Sequence, residues 1–216
     1  MNIIDLSHPM ENGMPTYPGD EPASFELLNS HEKDGYQVMK IKAITHSGTH
    51  LDAPAHLIAD GATIDKMPVL KFYGKGVVLD CSAVEQNSEI GLKYFIQNEK
   101  HIANADFVLV YTGWDKYWGN NKYYADYPVI STNSAIYLLK FNLKGIGLDT
   151  PSVDSVTATN YPNHNLFLRK GLILIENLTN LQELINKTFD FATFPCNIKN
   201  GDGCPVRAVG ILSEGG

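Results

Sequence analysis

Three of the seven histidines fall within eleven residues, His46-Ser47-Gly48-Thr49-His50-Leu51-Asp52-Ala53-Pro54-Ala55-His56. Two imidazoles and a carboxylate so spaced suit a divalent cation: Zn²⁺, or Mn²⁺ or Fe²⁺ in a larger and wetter site. A helix would put His46 and His50 on one face, but Gly48 is a poor helix former and Pro54 cannot continue one. The segment is instead expected as a strand ending in a tight loop. His50 and Asp52, two apart, then point the same way, and a bend at Gly48 swings His46 round beside them. Such a shell is incomplete, as catalysis requires, because one coordination place must admit water. His56, beyond Pro54, stays free as a general acid or base near neutral pH. Four ionisable groups gathered with neither a cation to hold nor a proton to transfer would be costly.

The elements that must position this cluster are read from the hydrophobic pattern. Asn2–Ser7 is expected as a first strand and Gly13–Pro22, with three prolines and two glycines, as a loop. Gln37–Ile44 alternates Met39, Ile41 and Ala43 with Lys40 and Lys42, the pattern of a half-buried strand. Beyond residue 70, apolar runs at Gly76–Asp80, Phe107–Tyr111, Ile146–Leu148 and Leu172–Glu176 read as buried strands alternating with helices. One helix is expected after Ser88, carrying Ile90, Leu92, Phe95 and Ile96. A second is capped by Ser131 or Asn133, and a third opens with a Thr179/Gln182 capping box. Phe189–Ile198 and Val206–Leu212 supply closing strands. The pattern is that of an α/β domain, a mixed or parallel sheet with flanking helices and extra β structure in the N-terminal third. No repeat, low-complexity tract or domain boundary interrupts residues 1–216, which read as one domain.

Composition narrows the function classes. With 17 Lys+Arg against 24 Asp+Glu, the net charge is −7, and no basic run offers a footprint for nucleic acid. No apolar stretch is long enough to span a bilayer and the N-terminus lacks a signal-peptide pattern, so no membrane partner and a cytoplasmic location are expected. The cysteines, Cys81, Cys196 and Cys204, are odd in number and widely spaced, and are expected as buried reduced thiols without a role.

The eleven-residue segment matches His-x-Gly-Thr-His-x-Asp-x-Pro-x-His at every fixed position, and so resembles the cyclase-like metal-dependent hydrolases, the family that includes bacterial kynurenine formamidase and isatin hydrolase. Further segments carry the resemblance along nearly the whole chain. They are Asp5-Leu6-Ser7, Tyr17-Pro18-Gly19-Asp20, Thr112-Gly113-Trp114, Gly147–Asp154 and Gly201–Ala208.

The resemblance implies a mixed-sheet α/β fold of swivelling β/β/α type, assembled as a homodimer or homotetramer. It implies that His46, His50 and Asp52 hold one ion, with Asp52 bridging to a second, and that His164 and Glu176, twelve residues apart, complete the set. On chemistry alone, His164 in an Asn-rich loop and Glu176 at a strand end would read as solvated. The resemblance further implies Zn²⁺, one ion or two, with Mn²⁺ an alternative, and His56 as the catalytic acid–base. Tyr17 stands where kynurenine formamidases usually carry a Trp that lines the substrate pocket. That change keeps an aromatic wall and opens the substrate class from N-formylkynurenine to related aryl amides, cyclic amides and lactones. The expected activity is hydrolysis of an amide C–N bond. Isatin-type opening of a cyclic amide, and a non-catalytic metal- or ligand-binding module, are the alternatives.

Overall fold

The apolar runs form the centre of one large sheet. The computed structural model describes residues 1–212. Its strands are, in chain order, β1 Asn2–Asp5, β2 Ser24–Asn29, β3 Val38–Lys42, β4 His50–Asp52, β5 Tyr73–Asp80, β6 Glu89–Ile90 and β7 Phe107–Tyr111. There follow β8 Val129–Ile130, β9 Gly145–Leu148, β10 Ile173–Glu176, β11 Phe189–Ala192, β12 Gly203–Pro205 and β13 Val209–Leu212. Nine of them make a mixed sheet in the order β1-β13-β11-β5-β7-β9-β10-β4-β12. The middle four, β5, β7, β9 and β10, are parallel, and antiparallel strands extend the sheet at both ends.

Strand β7 shows why its run is continuously apolar. Val108 and Val110 face one core with Ile146, Leu148, Phe95, Leu138 and Phe167, whereas Phe107 and Leu109 face a second with Leu6, Ile175, Phe191 and Leu181. A strand buried on both faces cannot alternate in polarity. The helices α1 His31–Asp34, α2 Lys93–Gln97, α3 Glu99–Ile102, α4 Thr132–Leu138 and α5 Pro162–Arg169 are short. The first core packs against α2, α4 and α5. Ser131 caps α4 as expected, its hydroxyl accepting from the Ser134 N–H.

Several expectations are corrected. Ser88 caps no helix: Glu89 and Ile90 pair with β8, and the helix starts only at Lys93. The Thr179 capping box does not form, because the Thr179 hydroxyl donates to Asp115 and the chain makes a 3₁₀ turn at Leu181–Leu184. Residues 193–198 are not strand, and Gly203–Pro205 is. The segment holding His164 is a helix, not a loop. Cys196 is exposed, whereas Cys81 and Cys204 are buried thiols. The largest departure is β3, which forms where expected but is exposed along its whole length, paired only with β2.

Candidate metal centre

The antiparallel register of β4 with β10 puts His50 directly opposite Glu176, while β12 on the other side puts Gly203 opposite Asp52. Paired residues share a sheet face, so His50, Asp52 and Glu176 converge. Before β4 the chain turns at Gly48, whose φ of +64° lies in the left-handed region that glycine tolerates best. The turn is pinned by Thr49, whose hydroxyl donates to the Asn177 carbonyl at 2.6 Å and accepts the His8 N–H at 3.0 Å. It returns His46 over the sheet. Gly203 leaves the space the His46 ring fills: a Cβ there would stand 2.6 Å from His46 Cε1.

His164 arrives from the first turn of α5. Pro162 supplies a preset helical φ at the helix start. Asp154 accepts the N–H groups of Asn163 and His164 at 2.9 and 3.0 Å, and also the His164 ring Nδ1–H at 2.8 Å. One buried carboxylate therefore fixes both the helix end and the imidazole.

Three imidazoles are anchored from behind. His50 Nδ1–H donates to the Gly48 carbonyl at 2.8 Å, His164 Nδ1–H to Asp154, and His46 Nε2–H to Asp202 at 3.0 Å. Each anchor leaves the opposite ring nitrogen facing Asp52 or Glu176, the arrangement that fixes metal-ligating histidines. His50 Nε2 lies 3.4 Å from Asp52 Oδ1 and 3.6 Å from Glu176 Oε2. His164 Nε2 lies 3.6 Å from Asp52 Oδ2 and 3.3 Å from Glu176 Oε1. These separations are long for hydrogen bonds, yet two donors each about 2.0–2.2 Å from a shared cation stand about 3–3.5 Å apart. Glu176 Oε1 is moreover buried without a hydrogen-bond partner, a cost that a cation would remove. The donor set fits divalent metal. The two oxygens of Asp52 face different imidazoles, as do those of Glu176.

Electrostatics agree. Burial opposes charge on Asp52, but the His46, His164 and His50 imidazoles hold its carboxyl well below the usual range. Burial likewise disfavours the His46 cation, yet Asp52, 2.7 Å from Nδ1, and Asp202 raise its pKa to about 9. In the absence of metal, protons thus balance the carboxylates, and a cation must displace them.

His56 differs. Its Nδ1 is 3.7 Å from Asp202 Oδ2, beyond hydrogen-bond distance, so its ring has no anchor behind it. It leans on His46 at 4.1 Å between ring centroids and is part-exposed to a cavity of about 430 Å³. One donor atom of His56 comes close enough to His46 and Asp52 to share a cation; the missing anchor is what separates it from the other three. Burial lowers its pKa, keeping the ring neutral at pH 7. The cavity walls include Tyr17, Tyr124, Tyr161, Ile44 and Leu57, with Tyr17 and Tyr124 edge to face at 5.6 Å.

Every residue singled out in the sequence therefore meets at one place. Asp202 was missed; its signal, an aspartate beside a glycine in the Gly201–Ala208 segment, pointed to a motif without a role. Within the Gly147–Asp154 segment, Asp154 orients an imidazole, whereas the Asp149 carboxylate collects the N–H groups of Thr112, Gly113 and Trp114.

The family profile described as "Putative cyclase" matches residues 4–155. The chain belongs to this cyclase family. It is 31% identical over 207 residues to the kynurenine formamidase of Geobacillus thermodenitrificans, covering 95% of each chain. Isatin hydrolase A from Ralstonia solanacearum superposes with a TM-score of 0.90 at 22% identity, over 98% of this chain and 92% of that one. Isatin hydrolase A from Labrenzia aggregata, bound to benzyl benzoate, gives 0.87 at 26% identity over 99% and 94%. The curled mixed sheet with few helices is the fold of these cyclase-family neighbours. No helix among the described residues is long and apolar enough to cross a membrane.

Proposed function

We propose that the chain is a cytoplasmic metal-dependent hydrolase that opens the C–N bond of an aryl amide, with N-formylkynurenine as the leading substrate and Zn²⁺ as the metal. The observation that carries this reading is the contrast among four histidines: three are anchored from behind and aimed at two shared carboxylates, and the fourth, unanchored, faces the cavity. His46, His50, Asp52, His164 and Glu176 are assigned as the metal ligands, in one site or two. When bound there, a divalent cation acidifies water and polarises the scissile carbonyl.

The chain's own groups supply the rest. Gly48 carbonyl, Asp154 and Asp202 hold the ligand rings in the required tautomers. Neutral His56 takes a proton as water adds to the carbonyl carbon and returns it to the departing nitrogen when the C–N bond breaks, so an amide and water become an acid and an amine. Tyr17 and Tyr124 present the aromatic wall against which an aryl group packs.

The test pairs metal analysis of purified protein with ultraviolet-monitored hydrolysis of N-formylkynurenine, and of isatin as the cyclic amide. The expected result is stoichiometric metal, turnover of N-formylkynurenine, and loss of both on chelation. Turnover of isatin alone moves the substrate to the cyclic class. Metal without turnover of either overturns the amide reading, and turnover without metal overturns the metal centre.

A further inference from the structure

The cavity in front of the metal centre carries an uneven charge. Among the described residues that line it, none is Lys or Arg. Asp52 and Glu176 are committed to the centre, so the charge that the far end of a substrate meets is that of Asp20, which is exposed. Asp20 closes the turn that begins at Tyr17, its N–H donating to the Tyr17 carbonyl at 3.0 Å, and the turn sets acid and ring on the same wall. Burial raises the pKa of the Tyr17 and Tyr124 phenols, and the Asp20 carboxylate adds to the rise in both, as a charge within reach of both rings must. The phenols are therefore neutral at pH 7, and Asp20 alone is charged on this wall.

A third ring reaches the cavity at a cost in backbone energy. Tyr161 sits at φ +42°, ψ +61°, left-handed backbone that a bulky residue seldom adopts. Its ring stands edge to face with His164 at 6.0 Å and lines the cavity while 37% of the residue remains exposed. Strain of this kind persists where the rest of the structure holds the side chain in one place.

One carboxylate among three tyrosine rings repels an anion and suits an ammonium group, because the face of an aromatic ring attracts cations. The net charge of −7 acts in the same direction, raising the concentration of cations near the cavity. Building on the aryl-amide reading above, we infer that Asp20 selects substrates whose side arm ends in a primary ammonium group. The amide lies at the metal centre and the ammonium between Asp20 and the tyrosine rings. The carboxylate of an amino-acid substrate finds no partner on this wall and is left to water. Asp20 determines specificity and takes no part in breaking the C–N bond.

The test uses three 2-aminophenyl ketones, the class of product that hydrolysis of such an aryl formamide releases. They differ only at the end of the side arm, which is an ammonium, a methyl or a carboxylate group. Their binding to the metal-loaded protein is measured by calorimetry and needs no turnover. The ammonium compound is expected to bind about tenfold more tightly than the methyl compound, and the carboxylate compound more weakly than either. D20N is expected to cut the ammonium-to-methyl ratio of affinities about fivefold, and D20E to restore most of it. Damage to the fold would instead lower both affinities and spare their ratio. Equal binding of the ammonium and carboxylate compounds, a ratio that survives in D20N, or no binding of the ammonium compound overturns the proposal. The formamides of the same three compounds separate it from the hydrolase reading. Their turnover without an ammonium preference overturns selection by Asp20 and leaves hydrolysis standing, whereas ammonium-selective binding without turnover supports the selection and overturns hydrolysis.

Discussion

His164 and Glu176 enter the metal centre from inside the protein, whereas His46 and Asp202 enter from its solvent edge. On the inner side the carboxylate behind the imidazole, Asp154, is buried and also holds two N–H groups of α5. On the outer side the equivalent carboxylate, Asp202, is half-exposed and also receives the Thr45 hydroxyl. A charged hydrogen bond is stronger in the low-dielectric interior than at the surface. The two sides perform one task, fixing an imidazole, with unequal rigidity: the floor is preset and the rim can adjust as substrate enters beside His56.

The largest effect expected from disturbing this arrangement is at Asp52, the one residue shared by floor and rim. If about four ligands share the roughly 10–16 kcal/mol typical of bound zinc around any one ion, D52N loses up to several hundredfold, roughly 2.5–4 kcal/mol, in metal affinity; a chelator competition titration measures it. Next is His56. H56A should retain stoichiometric metal while kcat falls by about 10²–10⁴, and loss of the metal instead would move His56 into the ligand set. Third comes the pair of anchors. D154N should weaken metal binding by about 10–100-fold, and D202N by about tenfold or less, with only D154N also lowering Tm because one of the two oxygens that accept the α5 N–H groups is lost with the charge. The reverse order would sink the contrast between floor and rim. Smallest is the wall: Y17A should raise KM for aryl substrates several-fold, by about 1 kcal/mol of lost aromatic contact, and leave metal content alone.

How much of this was legible in the sequence depended on how local each feature is. His46 to His56 lie on one bend, and their chemistry, the Gly48 turn and the shared direction of His50 and Asp52 follow from eleven residues. His164 and Glu176 become neighbours of that bend only through the β4–β10 register and the placement of α5. The helix itself gave a poor signal, because its first turn is Pro162-Asn163-His164-Asn165, and the buried polar groups there find partners outside the helix, in the Asp154 carboxylate and the Ile130 and Val153 carbonyls. The buried parallel strands were legible because continuous apolar runs have few other uses. Alternation at β3 correctly announced an apolar face, but a period of two says nothing about which surface, or which molecule, covers it. The helix expected after Ser88 failed at Glu89–Ile90, where pairing with β8 outweighed local capping preference.

Gly203 holds no metal and moves no proton, yet its missing carbon sets the clearance for the His46 ring. One added methyl at this point would crowd that ring, and the Leu51 carbonyl 2.9 Å away, while leaving every donor atom of the centre chemically intact. The reactivity of a histidine near the start of the chain is thereby licensed by a vacancy more than 150 residues downstream, and G203A is an off-switch that works by crowding alone.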